Sequence, residues 1–306
     1  MCWGEIYKPM SKFRVVYIGG VEHNGSTFLG VTLGHHPQIA CVGELSMLPR
    51  EGWSGDYLCA CGLRVVDCPF WADALATWKQ TANVEVQAFV ALEDAIDRNR
   101  RLPRLVLEKY IHSSKFSTYC DYTRALFHAV QQASGNSVIV DTSKRFSRAL
   151  ALSMVDGIDL RIIHLVRDAR GVAYSWSKPI RPRRRTWWDS SLRWNLINGA
   201  FELVRKIVGD EQAMLVRYED FISEPVATLG KMSNFIGVDL APVATAVSRG
   251  ESLTIGHVGI GNNFLRQGAG VRLRSSIEWP QNMPENEQRK TWRLTRIGMR
   301  RYGYEP

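Results

Sequence analysis

Short apolar, β-branched runs recur along the chain, and most end at a glycine or a charged residue. Phe13 to Ile18, Ile39 to Val42, Ser137 to Val140, Leu160 to Val166 and Ala213 to Val216 have the length and composition of strands. Helical spacing fills intervals between them: Phe28 to Leu33, Ser147 to Met154, Ala169 to Trp176, and Leu229 to Ile236, which Gly237 stops. The alternation predicts an α/β fold, with a central, mostly parallel sheet flanked by helices. Residues 72–135 break the rhythm. Leu75, Trp78, Phe89, Leu92 and Ile96 recur at helical spacing, the basic run Arg98 to Arg101 before Pro103 marks a solvated break, and Tyr110 to Val130 resumes a helix pattern. We expect a single domain over 1–306, with a mainly helical, cysteine-containing insertion at about 46–135.

Ligands of such sheets sit at the carboxyl ends of the strands. Glu44 follows the second run, Lys144 the third and Arg167 the fourth, so all three fall at such ends. The first run feeds a glycine-bearing loop. From Gly19-Gly20 the chain crosses Val21 to Asn24, reaches Gly25-Ser26-Thr27 and enters a helix at once. Strand, loop and helix start make an anion cradle. Glycines let the backbone approach the ligand, free N–H groups point into the loop, and the helix N-terminus favours negative charge. Ser26 and Thr27 add hydroxyls where a phosphate or sulfonate oxygen would sit. The nucleotide-triphosphatase pattern GxxxxGK[ST] is absent, because the sequence from Gly20 is GVEHNGST and Ser26 stands at the lysine.

With 45% apolar and 23% charged residues, a chain of this length is an ordinary globular one able to bury a large core. No run approaches the length of a transmembrane helix, and the N-terminal residues hold no apolar signal core, so the protein reads as cytoplasmic. Lys and Arg exceed Asp and Glu by 39 to 30, which suits an anionic ligand, an acidic acceptor, a membrane surface or nucleic acid without choosing among them. No helix-turn-helix, zinc-finger or RNA-binding signature appears, so nucleic acid is not expected as a partner.

Six cysteines do not suggest a disulfide scaffold, but Cys59, Cys61 and Cys68 share a loop-like stretch with Gly55, Gly62 and Pro69. Tetrahedral zinc needs a fourth ligand, for which Cys41, Cys120 or a histidine such as His112 is available. Packed thiols or a local disulfide are the favoured reading. The basic stretch Ser177 to Arg185, before Trp187-Trp188, reads either as a solvated loop or as a flap that draws in an acidic or sugar-bearing acceptor.

The motifs together resemble the sulfotransferases that use 3′-phosphoadenosine 5′-phosphosulfate (PAPS), above all bacterial relatives of the carbohydrate and tyrosylprotein enzymes. In that family a loop like RSGST, an apolar helix and a His-Pro follow one another; here they are His23-Asn24-Gly25-Ser26-Thr27, the helix, and His36-Pro37. The family's Arg-Asp-Pro-Arg with a serine eight residues on is similar to Arg167-Asp168-Ala169-Arg170 with Ser175. An ArgTyrGluAsp segment recurs at Arg217 to Asp220, and a His…Gly-Asn…Arg segment at His257, Gly261, Asn262 and Arg266. The cysteine stretch ending Cys68-Pro69-Phe70-Trp71 also resembles one in bacterial members. The likeness spans about Val15 to Tyr304. It departs at His23, where the family has Arg or Lys, and at Ala169, where it has Pro.

This resemblance implies a P-loop-like three-layer fold and sulfuryl transfer from PAPS, leaving PAP, to an acceptor hydroxyl or amine. The acceptor class it allows is a carbohydrate or glycolipid, a peptide tyrosine or a small metabolite. It implies that His23, Asn24, Gly25, Ser26, Thr27 and Phe28 hold the phosphosulfate, and that Arg167 and Ser175 bind the 3′-phosphate. Tyr218, Asn262 and Arg266 join the nucleotide pocket. Lys144 stabilises the leaving oxygen and Glu44 acts as general base, with His23, His35 and His36 as rivals. The chemistry calls for no metal. A P-loop-type kinase and a basic nucleic-acid-binding protein are the alternatives; the missing lysine counts against the first and the spread of charge against the second. Neither the acceptor nor the oligomeric state is written in the sequence.

Overall fold

The structure is a computed structural model, and it describes residues 12–178, 184–261, 270–272 and 277–306. Among the described residues five strands form the sheet: β1 (Phe13–Gly19), β2 (Ile39–Gly43), β3 (Val138–Lys144), β4 (Ile158–Val166) and β5 (Ala213–Arg217). Their order is β2-β3-β1-β4-β5, and every neighbouring pair is parallel. All five predicted runs are strands. The third differs most, because it runs on through Asp141, Thr142 and Ser143 to Lys144. Asp141, Thr142 and Ser143 are polar but buried.

Alternate side chains enter separate cores on the two faces of the sheet. Val15 and Tyr17 of β1, with Leu160 and Ile162 of β4, belong to one cluster; Val16 and Ile18, with Ile163 and Leu165, belong to the other. Burial on both faces is why the runs read as continuously apolar rather than alternating.

The crossovers supply the outer layers. Helix α1 (Ser26–Gly34) joins β1 to β2. Between β2 and β3 lie α2 (Pro69–Ala82), α3 (Val86–Ile96), α4 (Leu102–Ile111) and α5 (Ser114–Ser134). Helix α6 (Phe146–Leu152) leads to β4, and α7 (Ala169–Ser177) and α8 (Trp187–Val208) lead to β5. Then come α9 (Tyr218–Ser223), α10 (Pro225–Ile236), α11 (Ala241–Ser248), α12 (Trp279–Asn282) and α13 (Glu285–Arg301). The helix expected from Tyr110 to Val130 is two. His112 takes a left-handed conformation that ends α4, and Ser113 caps α5 by accepting from the Phe116 N–H at 3.3 Å. No helix among the described residues is long and apolar enough to cross a membrane.

A buried charge network ties the end of α3 to α6 and β3. Arg148 of α6, wholly buried, donates to Glu93 Oε1 and Asp97 Oδ2 at 2.9 Å each and approaches Asp141 Oδ2 at 3.4 Å. Arg145 reaches Asp97 Oδ1 at 3.3 Å. Three carboxylates thus share two guanidinium groups. Burial, reinforced by the neighbouring Asp97, pushes the Glu93 carboxyl up to about 8.

Candidate active site

Strand β1 ends at Gly19, and the chain turns through Gly20 to Gly25 before α1 begins. Asn24 is buried and organises the turn. Its Nδ2 donates to Leu165 O on β4 at 2.8 Å, and its Oδ1 accepts from the Ser26 N–H at 3.0 Å. Gly25, at φ 96°, caps the helix, and a Cβ there would lie 2.4 Å from the Tyr218 ring. Only glycine fits both the dihedral and the space. The helix leaves its first N–H groups without intrahelical partners, and Gly25, Ser26, Thr27 and Phe28 line a cavity of about 550 Å³.

Across that cavity stand the ends of β2 and β3. Gly43 has φ 81°, and a Cβ on it would collide with Ile260 O at 2.1 Å. This close approach lets the Glu44 N–H donate to Ile260 O at 2.8 Å. Asp141 Oδ1 accepts from the Leu45 and Ser143 N–H groups at 3.3 and 2.9 Å, fixing the chain after Glu44 against β3. Lys144, also at positive φ (65°), places its Nζ 2.5 Å from Glu44 Oε1. Both residues line the cavity.

The end of β4 closes a third side. Arg167 donates through Nη1 to His23 O at 2.9 Å, and its guanidinium lies 4.6 Å from the Tyr218 ring centre. Arg167 and Ser175 line the cavity, and Arg167 Nε is buried without a protein partner among the described residues. Asp168 caps α7 by accepting from the Arg170 N–H at 2.7 Å. Arg170 turns into the interior, against Asp168 at 2.8 Å and over the Trp279 ring. The second arginine of that motif therefore holds the fold together. Ala169, at the first helical position, donates its N–H to Met299 Sδ at 3.3 Å, a contact proline could not make.

The structure thus brings His23, Gly25, Ser26, Thr27, Phe28, Glu44, Lys144, Arg167 and Ser175 to one cavity. Asn24 supports the loop from inside, and Tyr218 backs Arg167 and Gly25 without lining the cavity. Asn262 and Arg266 lie outside the described residues. His35 and His36 sit at the far end of α1 and do not line the cavity. His35 Nδ1 accepts from the Thr254 N–H at 3.1 Å and His36 Nδ1 from the Gln38 N–H at 3.2 Å. Sequence reasoning missed Arg145 and Arg193, both cavity-lining. Arg145 adjoins Lys144, a visible signal. Arg193 lies inside α8 and reaches Glu22 Oε1 at 2.6 Å, which no local motif announces.

The fold is P-loop-like, with a glycine-bearing loop and a cavity at the carboxyl edge of a parallel sheet. The chain belongs to the sulfotransferase family, whose model matches residues 16–242. It is a transferase of the sulfotransferase type. Among solved structures it is similar to the sulfotransferase domain of the Synechococcus PCC 7002 olefin synthase, with TM-score 0.56 and 18% identity over 99% of this chain and 100% of that one. It is also similar to a sulfotransferase domain from the curacin biosynthetic pathway, with TM-score 0.53 and 14% identity over 97% and 99% of the two chains. A mouse sulfotransferase complexed with PAP aligns at TM-score 0.46 and 12% identity, over 95% and 84%. No curated protein matches the chain.

Proposed function

We propose that Glu44 is the general base and Lys144 the leaving-group cation in sulfuryl transfer from PAPS to an acceptor hydroxyl or amine. The observation that carries this is the Glu44–Lys144 pair, drawn from two adjacent strand ends and facing the anion loop across one cavity. The acceptor oxygen or nitrogen attacks sulfur, and the bond from sulfur to the bridging oxygen breaks. The acceptor proton passes to Glu44, and the electron pair stays on the bridging oxygen beside Lys144. A ligand phosphosulfate competes with Glu44 for the ammonium, so binding releases the carboxylate to act as base.

The first turn of α1 holds the phosphosulfate through backbone N–H groups and the helix dipole. With Nη1 already on the loop carbonyl of His23, Arg167 offers its unpartnered Nε, together with Ser175, to the 3′-phosphate. Arg167 thereby brings to the loop the permanent cation that His23 does not supply. Met47, Trp176 and Ile197 give the cavity an apolar wall for the acceptor, suited to a phenol or a sugar face. The acceptor is a carbohydrate or glycolipid, a peptide tyrosine or a small metabolite. The test measures PAP release with phenolic and carbohydrate acceptors for wild type and Glu44→Gln, alongside the melting shift each shows with PAP. Turnover falls roughly 10²–10⁴-fold while the shift is kept. Unchanged turnover in Glu44→Gln moves the base to His23.

A further inference from the structure

Cys59, Cys61, Cys68 and His257 converge outside the catalytic cavity, with their ligand atoms all within 4.8 Å of one another. Cys61 Sγ lies 3.7 Å from Cys68 Sγ, and His257 Nδ1 lies 3.3 Å from Cys68 Sγ and 3.9 Å from Cys59 Sγ. Tetrahedral zinc, with Zn–S of about 2.3 Å and Zn–N of about 2.0–2.1 Å, spaces its ligand atoms by about 3.5–3.8 Å along the edges. These three separations bracket those edges. They are too long for a disulfide, and these cysteines are unbonded. They are also too compact for a polynuclear iron–sulfur cluster, whose cysteines ligate separate irons. Neither Cys41 nor Cys120 nor His112, the donors considered from the sequence, belongs to the group.

The backbone builds the cluster from two distant pieces of chain. Residues 57–65 form a hairpin: Leu58 pairs with Arg64, and the Val65 N–H donates to Tyr57 O at 2.8 Å. The turn, Cys59-Ala60-Cys61-Gly62, is closed by the Gly62 N–H on Cys59 O at 2.9 Å, with Gly62 at φ 91°. Cys68 directly precedes α2, whose first residue is Pro69. His257 comes from residues 253–261, a segment stitched to the hairpin by the Ala60 N–H on Val258 O at 3.0 Å, and its ring stacks on Phe70.

We propose that Cys59, Cys61, Cys68 and His257 form a closed, structural zinc site that fastens this C-terminal segment to the cysteine hairpin. Thiolate and imidazole donors suit zinc, and four protein ligands leave no open position for catalysis. The site works at a distance from sulfuryl transfer. It holds His257 three residues from Ile260, the residue whose carbonyl accepts from the Glu44 N–H.

Metal analysis of the intact protein, purified without a polyhistidine tag, is the direct test. The expected result is about one zinc per chain that survives dialysis, with cobalt replacement giving thiolate-to-cobalt charge-transfer and tetrahedral d–d absorption. Cys61→Ser, at one of the two exposed ligands, loses most of the metal, and His257→Cys, which preserves four donors, keeps it. Metal-free protein whose cysteines all titrate as thiols overturns the proposal, as does a Cys61–Cys68 disulfide found by mass spectrometry. Octahedral cobalt absorption without thiolate bands overturns it as well.

Discussion

Gly25 shows how little room a single position leaves. Its Cβ-less backbone lies beneath Tyr218 at φ 96°. Gly25→Ala is expected to destabilise the fold by about 1–3 kcal/mol through backbone strain alone. It also displaces the loop, so PAP affinity falls more than stability does, which a melting curve with and without PAP separates. Arg167→Ala tests a second single residue. It removes the contact to His23 O and the stacking on Tyr218 together, and the expected result is loss of the PAP-induced shift with the apo melting point little changed. Glu44, Lys144 and Arg167 were legible as candidates because each follows an apolar run. Arg193 was not, because only the packing of α8 turns it to the cavity. His257 was equally hidden as a zinc donor, since it stands 189 residues from Cys68 and no local spacing connects them.

Among the elements, the link between α3, α6 and β3 carries a surplus carboxylate. In the folded state Glu93 titrates at about 8, above the usual 4.5, so the folded chain holds a proton there that the unfolded chain has released. Stability from this group is complete below about pH 4.5 and declines as pH rises towards about 8. Glu93→Gln, a neutral mimic of the protonated acid, should flatten the pH dependence of stability across that window, as read by denaturant midpoints. A wild-type-like slope in the variant would place the proton on another carboxyl. The β-strands themselves were readable from apolar runs. The continuation of β3 through Asp141 to Lys144 was not, because its polar side chains are buried by bonding to Leu45, Ser143 and Arg148 rather than by apolarity. The break at His112 and Ser113 was written in a capping serine, but the apolar spacing on either side ran through it.

For the whole molecule, the proposed cofactor site predicts a specific linkage. PAP at about a hundred times its dissociation constant should stabilise the chain by about 2.7 kcal/mol, and ATP and AMP at the same concentration should do markedly less. Differential scanning fluorimetry resolves the difference. An ATP shift equal to that of PAP would show that the 3′-phosphate is not read. The three-layer architecture was legible from the alternation of strands and helices, and the family from the order of the segments His23 to Thr27 and Arg167 to Ser175. The acceptor was not, because the apolar lining of the cavity draws Met47, Trp176 and Ile197 from three separate elements.

The parallel bridge between Gly43 and Ile260 has a bearing on biosynthesis. As the chain leaves the ribosome, β2 and the residue that follows it emerge early, but the backbone group that receives the Glu44 N–H arrives more than 200 residues later. The proposed base therefore acquires its final setting only in the closing stage of folding. A nascent chain halted before Ile260 should bind a fluorescent PAP analogue through the loop of β1 yet remain inert in transfer, gaining ligand recognition before chemistry.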